Sequence, residues 1–147
     1  METFQLSGGC LCGKVRYTQI GHAKSVEHCH CSMCRKAHGA LFASAAVLDA
    51  DQLQIDSGGD HIAAFESSAG NWRRFCQSCG CQLFMTVDII PNEIYLWVAS
   101  LDEGAHPGHP TDKEVHIFVG SKAPWENVEK SHPHFAELPD NIGIGKN

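Results

Sequence analysis

Eight cysteines in three groups constrain this chain more than any other feature. They are Cys10-Leu11-Cys12, then Cys29-His30-Cys31-Ser32-Met33-Cys34, then Cys76-Gln77-Ser78-Cys79 with Cys81 just beyond. The first residues show no basic segment followed by an apolar run, so the sequence reads as cytoplasmic and reducing. There, such a cysteine set points to metal or redox chemistry and away from a disulfide framework.

Spacing narrows this further. On an extended segment residues i and i+2 face the same way, so Cys10 and Cys12 are expected to form half of a site, as are Cys29 and Cys31. Cys76-Gln77-Ser78-Cys79 followed by Gly80 is the tight turn of a zinc knuckle, where glycine reverses the chain without a Cβ clash. A structural zinc takes four ligands, and pairing Cys10 and Cys12 with Cys76 and Cys79 is the economical choice. Cys29, Cys31 and Cys34 then supply three thiolates from one local turn, the layout of a catalytic zinc that keeps an open position. Two zinc ions per chain follow. Cys81 or His38 could close the second site and make it structural too. His38 lies four residues after Cys34 and would share its helix face. A redox role for Cys76 and Cys79 lacks the strand-helix setting such a motif requires.

At 147 residues the chain fits one domain over 1–147, with an irregular tail from about 131 that holds two prolines and two glycines. Hydrophobic residues at 43% and charged residues at 19% exclude disorder and a membrane span. Seventeen acids against eleven bases, with no Lys/Arg block, argue against a nucleic-acid partner.

Short alternating segments predict a mainly β architecture of antiparallel sheets. Strands are expected over Lys14–Thr18, Phe42–Leu48, His61–Phe65, Trp72–Phe75, Gln82–Val87, Glu93–Ala99 and Val115–Val119. Ser57-Gly58-Gly59-Asp60, Ala69-Gly70-Asn71 and Pro91-Asn92 are turn signals between them. Helix signals are confined to one short segment, capped by Ser32 and running through Arg35, Lys36 and Ala37. The prolines of Ala105–Pro110 impose a loop. Of ten histidines, His22, His61, His106, His109, His132 and His134 lack metal spacing and read as surface residues. His28 and His30 alternate with Cys29 and Cys31 and read as supporting or packing residues. His116, Trp97 and Trp125 are pocket candidates, with core packing the favoured alternative.

The chain resembles the glutathione-dependent formaldehyde-activating (GFA), or centromere-protein-V-like, family with its Mss4-like zinc fold. Gly8-Gly9-Cys10-Leu11-Cys12-Gly13-Lys14-Val15-Arg16-Tyr17 is similar to the family's opening motif, and Cys29-His30-Cys31-Ser32-Met33-Cys34-Arg35-Lys36 to its central one. Ser67-Ser68, Arg74-Phe75-Cys76-Gln77-Ser78-Cys79-Gly80, His116-Ile117 and Ala123-Pro124-Trp125 continue in order. The resemblance implies a structural zinc at Cys10, Cys12, Cys76 and Cys79 and an active-site zinc at Cys29, Cys31 and Cys34. It also implies a carbon-sulfur lyase that joins a small-molecule thiol, glutathione or similar, to formaldehyde or another small aldehyde. Arg35 and Lys36 are candidates to offset the thiolate charge or meet a substrate carboxylate, against the alternative of solvated surface cations. The competing class is a non-enzymatic, zinc-stabilised protein-binding module.

Overall fold

In the computed structural model, which describes residues 3–128 and 131–139, the chain runs β1 (Gln5–Gly9), β2 (Arg16–Ile20), β3 (Ser25–Cys29), α1 (Ser32–His38), β4 (Ala43–Asp49), β5 (Leu53–Ser57), β6 (Ile62–Ser68), β7 (Asn71–Cys76), β8 (Gln82–Val87), β9 (Glu93–Trp97) and β10 (Glu114–Ile117). These strands make a three-stranded sheet, β1-β2-β5, and a seven-stranded one, β10-β3-β4-β9-β8-β7-β6. The molecule is mainly β and antiparallel with one short α-helix among the described residues, as expected. One pair departs, because β10 joins the edge of β3 in parallel. No helix among the described residues is long and apolar enough to cross a membrane.

The two faces of the large sheet do different work. Ala46 and Leu48 of β4, Leu96 of β9 and Phe84 of β8 join Val15 and Tyr17 in one apolar cluster that couples the two sheets. Tyr17 is buried there, and its hydroxyl meets Ser100 Oγ at 2.7 Å, so its single polar atom is satisfied. The opposite face gathers Cys29, Ala45, Tyr95, Trp97 and Ile117 in a second cluster, which opens into a cavity.

Three strands escape the alternation rule, each for a physical reason. β3 is covered on both faces, with Val26, Glu27 and Cys29 all buried, so its burial does not alternate. β5 lies on a sheet edge and is almost wholly exposed, whereas β1 ends in two glycines, residues poor in strand propensity. β2 starts two residues later than expected because Val15 belongs to the preceding turn. Its carbonyl accepts from Cys10 N–H at 3.1 Å, and its own N–H donates to Cys10 Sγ at 3.3 Å. The strand expected to end at Ala99 stops at Trp97, where Val98–Ser100 tightens into a 3-10 turn. The irregular tail is described only over 131–139. There His134 bridges to His116, and Phe118, Val119 and Gly120 donate their N–H groups to the carbonyls of Glu137, Phe135 and Ala136.

The turn between β5 and β6 yields a test. Gly58 has φ +76°, and a Cβ there would lie 1.9 Å from the Lys14 carbonyl oxygen, whereas one on Gly59 would meet only Ile55 Cγ2 at 3.7 Å. Gly58→Ala is expected to lose about 1–3 kcal/mol or more in urea denaturation, from positive-φ strain plus the backbone clash. Gly59→Ala is expected to stay within about 0.5 kcal/mol of wild type.

Candidate functional site

Cys10 and Cys12 occupy the turn between β1 and β2, and Cys76 and Cys79 flank the turn between β7 and β8. All four sulfurs lie within 4.8 Å of one another. Cys12 Sγ is 3.5 Å from Cys10 Sγ and 3.8 Å from Cys76 Sγ. Four thiolates bound at about 2.3 Å define a tetrahedron with edges of about 3.8 Å, so the group has the dimensions of a tetrahedral metal site. Cys10 and Cys12 converge through a turn, not through the pleat expected of an extended segment. Gly13 N–H donates to Cys10 O at 3.1 Å and curls the loop. Gly80, at φ +76°, donates to Cys76 O at 2.7 Å and closes the knuckle as its position implied. The backbone N–H groups of Cys81 and Cys12 pull the Cys79 thiol down to about 6.

Cys29 ends β3, Cys31 caps α1 and Cys34 lies in its first turn, and their sulfurs also fall within 4.8 Å of one another. The cap is Cys31, not the expected Ser32, because Cys31 Sγ accepts Cys34 N–H at 3.3 Å. Hydrogen bonds from Cys29 and Cys34 pull the Cys31 thiol down to about 2, whereas the contacts of Cys29 with Cys31 and Cys34 push Cys29 up. Crowding therefore favours one thiolate and resists the next two, and a bound cation would reverse that resistance.

Among the described residues no fourth ligand joins this group. Cys81 is not brought to it. Its side chain packs against the cluster that holds Cys10 and Cys76, and its thiol donates to Gln82 O at 3.5 Å. His38 does not join it either, since its ring sits edge-on to Trp97 at 4.3 Å and burial lowers its pKa to about 4. The three cysteines instead line a cavity of about 350 Å³, with Trp97, Tyr95 and Met85 among its apolar walls.

Arg35, one of the two expected cations, is turned to a structural task. Its guanidinium donates to His30 O at 3.2 Å and Ser121 O at 3.0 Å, tying α1 to the segment after β10. The cation at the sulfurs is Arg73 of β7, which donates to Cys34 Sγ at 3.5 Å and to Ser67 Oγ at 3.0 Å and lies 5.9 Å from the Trp97 ring centroid. Arg73 is the one buried Lys or Arg among the described residues. In sequence it stands beside a second arginine, Arg74, in β7, and only the fold buries the one and not the other. Glu27 of β3 is a second buried charge in the same cavity, and burial with the nearby Glu93 pushes its carboxyl up to about 7.

On the other face of β3 the histidines form a network. His30 Nε2 meets His116 Nδ1 at 2.8 Å, so both support the fold from behind the sulfurs. His28 Nδ1 meets Ser44 Oγ at 2.7 Å, and Glu114 takes His28 Nε2 at 2.6 Å, His109 Nε2 at 3.1 Å and His132 Nε2 at 3.6 Å. His109 thereby departs from the surface role expected of it and is 7% exposed. Trp97 lines the cavity, while Trp125 is exposed and His116 packs away from it.

A family model described as glutathione-dependent formaldehyde-activating enzyme matches residues 5–121. A Halomonas elongata protein whose name assigns it to those enzymes is 28% identical over 92% of this chain and 89% of its own. A Podospora anserina protein named in the same way is 33% identical over 90% of this chain, which spans 54% of that relative. A crystal structure of a Rhodobacter sphaeroides protein is similar at a TM-score of 0.55 and 26% identity, over 69% of this chain and 92% of that one.

Glu114 supplies a pH test. Although burial opposes it, hydrogen bonds from His28 and His109 hold the Glu114 carboxyl at about 2, below its ordinary 4.5. A depressed carboxyl contributes stability that is fully present above its unfolded pKa and is lost as pH falls towards the folded one. Thermal melts of Glu114→Gln are expected to show a lower Tm than wild type at pH 7 and a shallower fall between pH 4.5 and 2.

Proposed function

The chain belongs to the glutathione-dependent formaldehyde-activating enzyme family, and from that premise we propose that it is a zinc-dependent carbon-sulfur lyase joining glutathione, or a similar thiol, to formaldehyde or another small aldehyde. The observation that carries this reading is the group of three sulfurs at the wall of a cavity, with no fourth ligand among the described residues. Cys10, Cys12, Cys76 and Cys79 would hold a closed zinc that ties the β1–β2 turn to the β7–β8 turn, and Cys29, Cys31 and Cys34 an open one. Zinc bound at the open group supplies a position that lowers the pKa of an incoming thiol.

The reaction forms one carbon-sulfur bond. The sulfur pair adds to the carbonyl carbon, the carbonyl π pair moves to oxygen, and the thiol proton ends on the new hydroxyl. Three thiolates around a divalent ion leave a net charge of about -1, and the Arg73 guanidinium on Cys34 Sγ offsets it. Trp97, Tyr95 and Met85 wall the cavity and limit water around the sulfurs. Arg35 is a positioning residue in this scheme, since it holds the start of α1 through His30 O and the chain beyond β10 through Ser121 O.

Elemental analysis of the purified chain is expected to give two zinc ions, falling to one in Cys34→Ser and in Cys76→Ser. NMR of glutathione with formaldehyde is expected to show faster S-hydroxymethylglutathione formation with wild type and none beyond background with Cys34→Ser. Arg73→Ala is expected to lower kcat/KM about tenfold or more, in line with the ~1.5–3 kcal/mol of a hydrogen bond to a charged group, with partial recovery in Arg73→Lys. No acceleration by zinc-loaded wild type would overturn the reading.

A further inference from the structure

Glu27 is a carboxyl in a place that gives it nothing to bind. It lies on β3 and is only 5% exposed, and it lines the cavity on the same face as Cys29, two residues and about 7 Å along the strand. Its register partners are Ala45 on β4 and Val115 on β10, which present apolar side chains. Among the described residues no hydrogen-bond donor meets its oxygens. The nearest lysine in sequence, Lys24, is committed to Asp49 at 2.8 Å and to Glu93. Arg73 stands on β7, four strands away in the sheet, and is committed to Cys34 and Ser67. The charge that does act on Glu27 is another carboxylate, Glu93.

A buried polar group without a partner is costly, and a buried carboxylate more so, unless a bound molecule supplies the missing donor. The cavity gives such a molecule access, and a carboxyl in its wall with no cation beside it among the described residues selects a positive charge. Glutathione carries its single ammonium on the γ-glutamyl arm, several bonds from its sulfur, which suits a carboxyl set back along the strand from the cysteines. We propose that Glu27 is the specificity-determining residue that binds the ammonium group of the thiol substrate while the sulfur meets the group of Cys29, Cys31 and Cys34. The inference rests on the thiol-aldehyde reading above.

The test compares glutathione with its glutaryl analogue, which lacks only the ammonium, by calorimetric titration of the zinc-loaded full chain. Wild type is expected to bind glutathione tenfold or more tightly than the analogue. Glu27→Gln is expected to bind both with the affinity that wild type has for the analogue, and to melt no lower than wild type when ligand-free, because it removes an unpaired buried charge. Glu27→Asp keeps the charge and is expected to retain a preference for glutathione. The proposal is overturned if wild type does not distinguish the two ligands, including the case in which it binds neither, or if Glu27→Gln distinguishes them as well as wild type does. Adduct formation, followed in parallel, judges the lyase reading separately. Turnover of glutathione without ammonium discrimination removes the role of Glu27 alone, whereas discrimination without turnover removes the lyase reading alone.

Discussion

β3 lies between β10 and β4, and its pleat sends Val26 and His28 to one side of the large sheet and Glu27 and Cys29 to the other. The registers of both neighbours follow from this. His28 faces Ser44 and His116 across the two pairings, which seats the histidine network, and Cys29 faces Ala43 and Ile117, which leaves its sulfur beside small and apolar neighbours. A slip of one residue would bury the histidines in the cavity and carry Cys29 away from Cys31 and Cys34. The parallel pairing of β10 guards that register, and the segment 131–139 adds backbone hydrogen bonds outside it.

The two cysteine groups differ in what surrounds them. The four-sulfur group joins two turns, is part exposed at Cys12, and is stitched further by Lys14 Nζ donating to Ser78 Oγ at 3.2 Å. The three-sulfur group has an arginine on one sulfur, an indole near that arginine and open volume in front. The first arrangement resists strain between loops. The second keeps charge balanced around a space that a small molecule can enter.

Much of this was legible before any coordinates. The knuckle Cys76–Gly80, the grouping of Cys10 and Cys12 with Cys76 and Cys79, the short helix after Cys31 and most of the strands from β4 onward follow from spacing, turn residues and alternation. What was missed shares a cause. Arg73 and Arg35 are both basic and both adjacent to a cysteine motif in sequence or space, yet only the folded sheet brings Arg73 to Cys34 and turns Arg35 to two carbonyls. Cys81 follows Cys79 by two residues, but the chain reversal at Gly80 leaves it against the core beside Cys10 and Cys76. His109 reads as a loop histidine in the sequence, but the fold buries it against Glu114, five residues on.

By itself the sequence determined the local half of this protein: which cysteines lie within one turn of one another, where glycine permits a reversal, and which segments alternate as strands. Those are consequences of φ, ψ and short-range spacing. Tertiary structure alone decided which distant groups share a cavity. It set Glu27 and Arg73, 46 positions apart in the chain, at two places along one wall, because sheet order, not sequence order, determines which side chains face the same enclosed space.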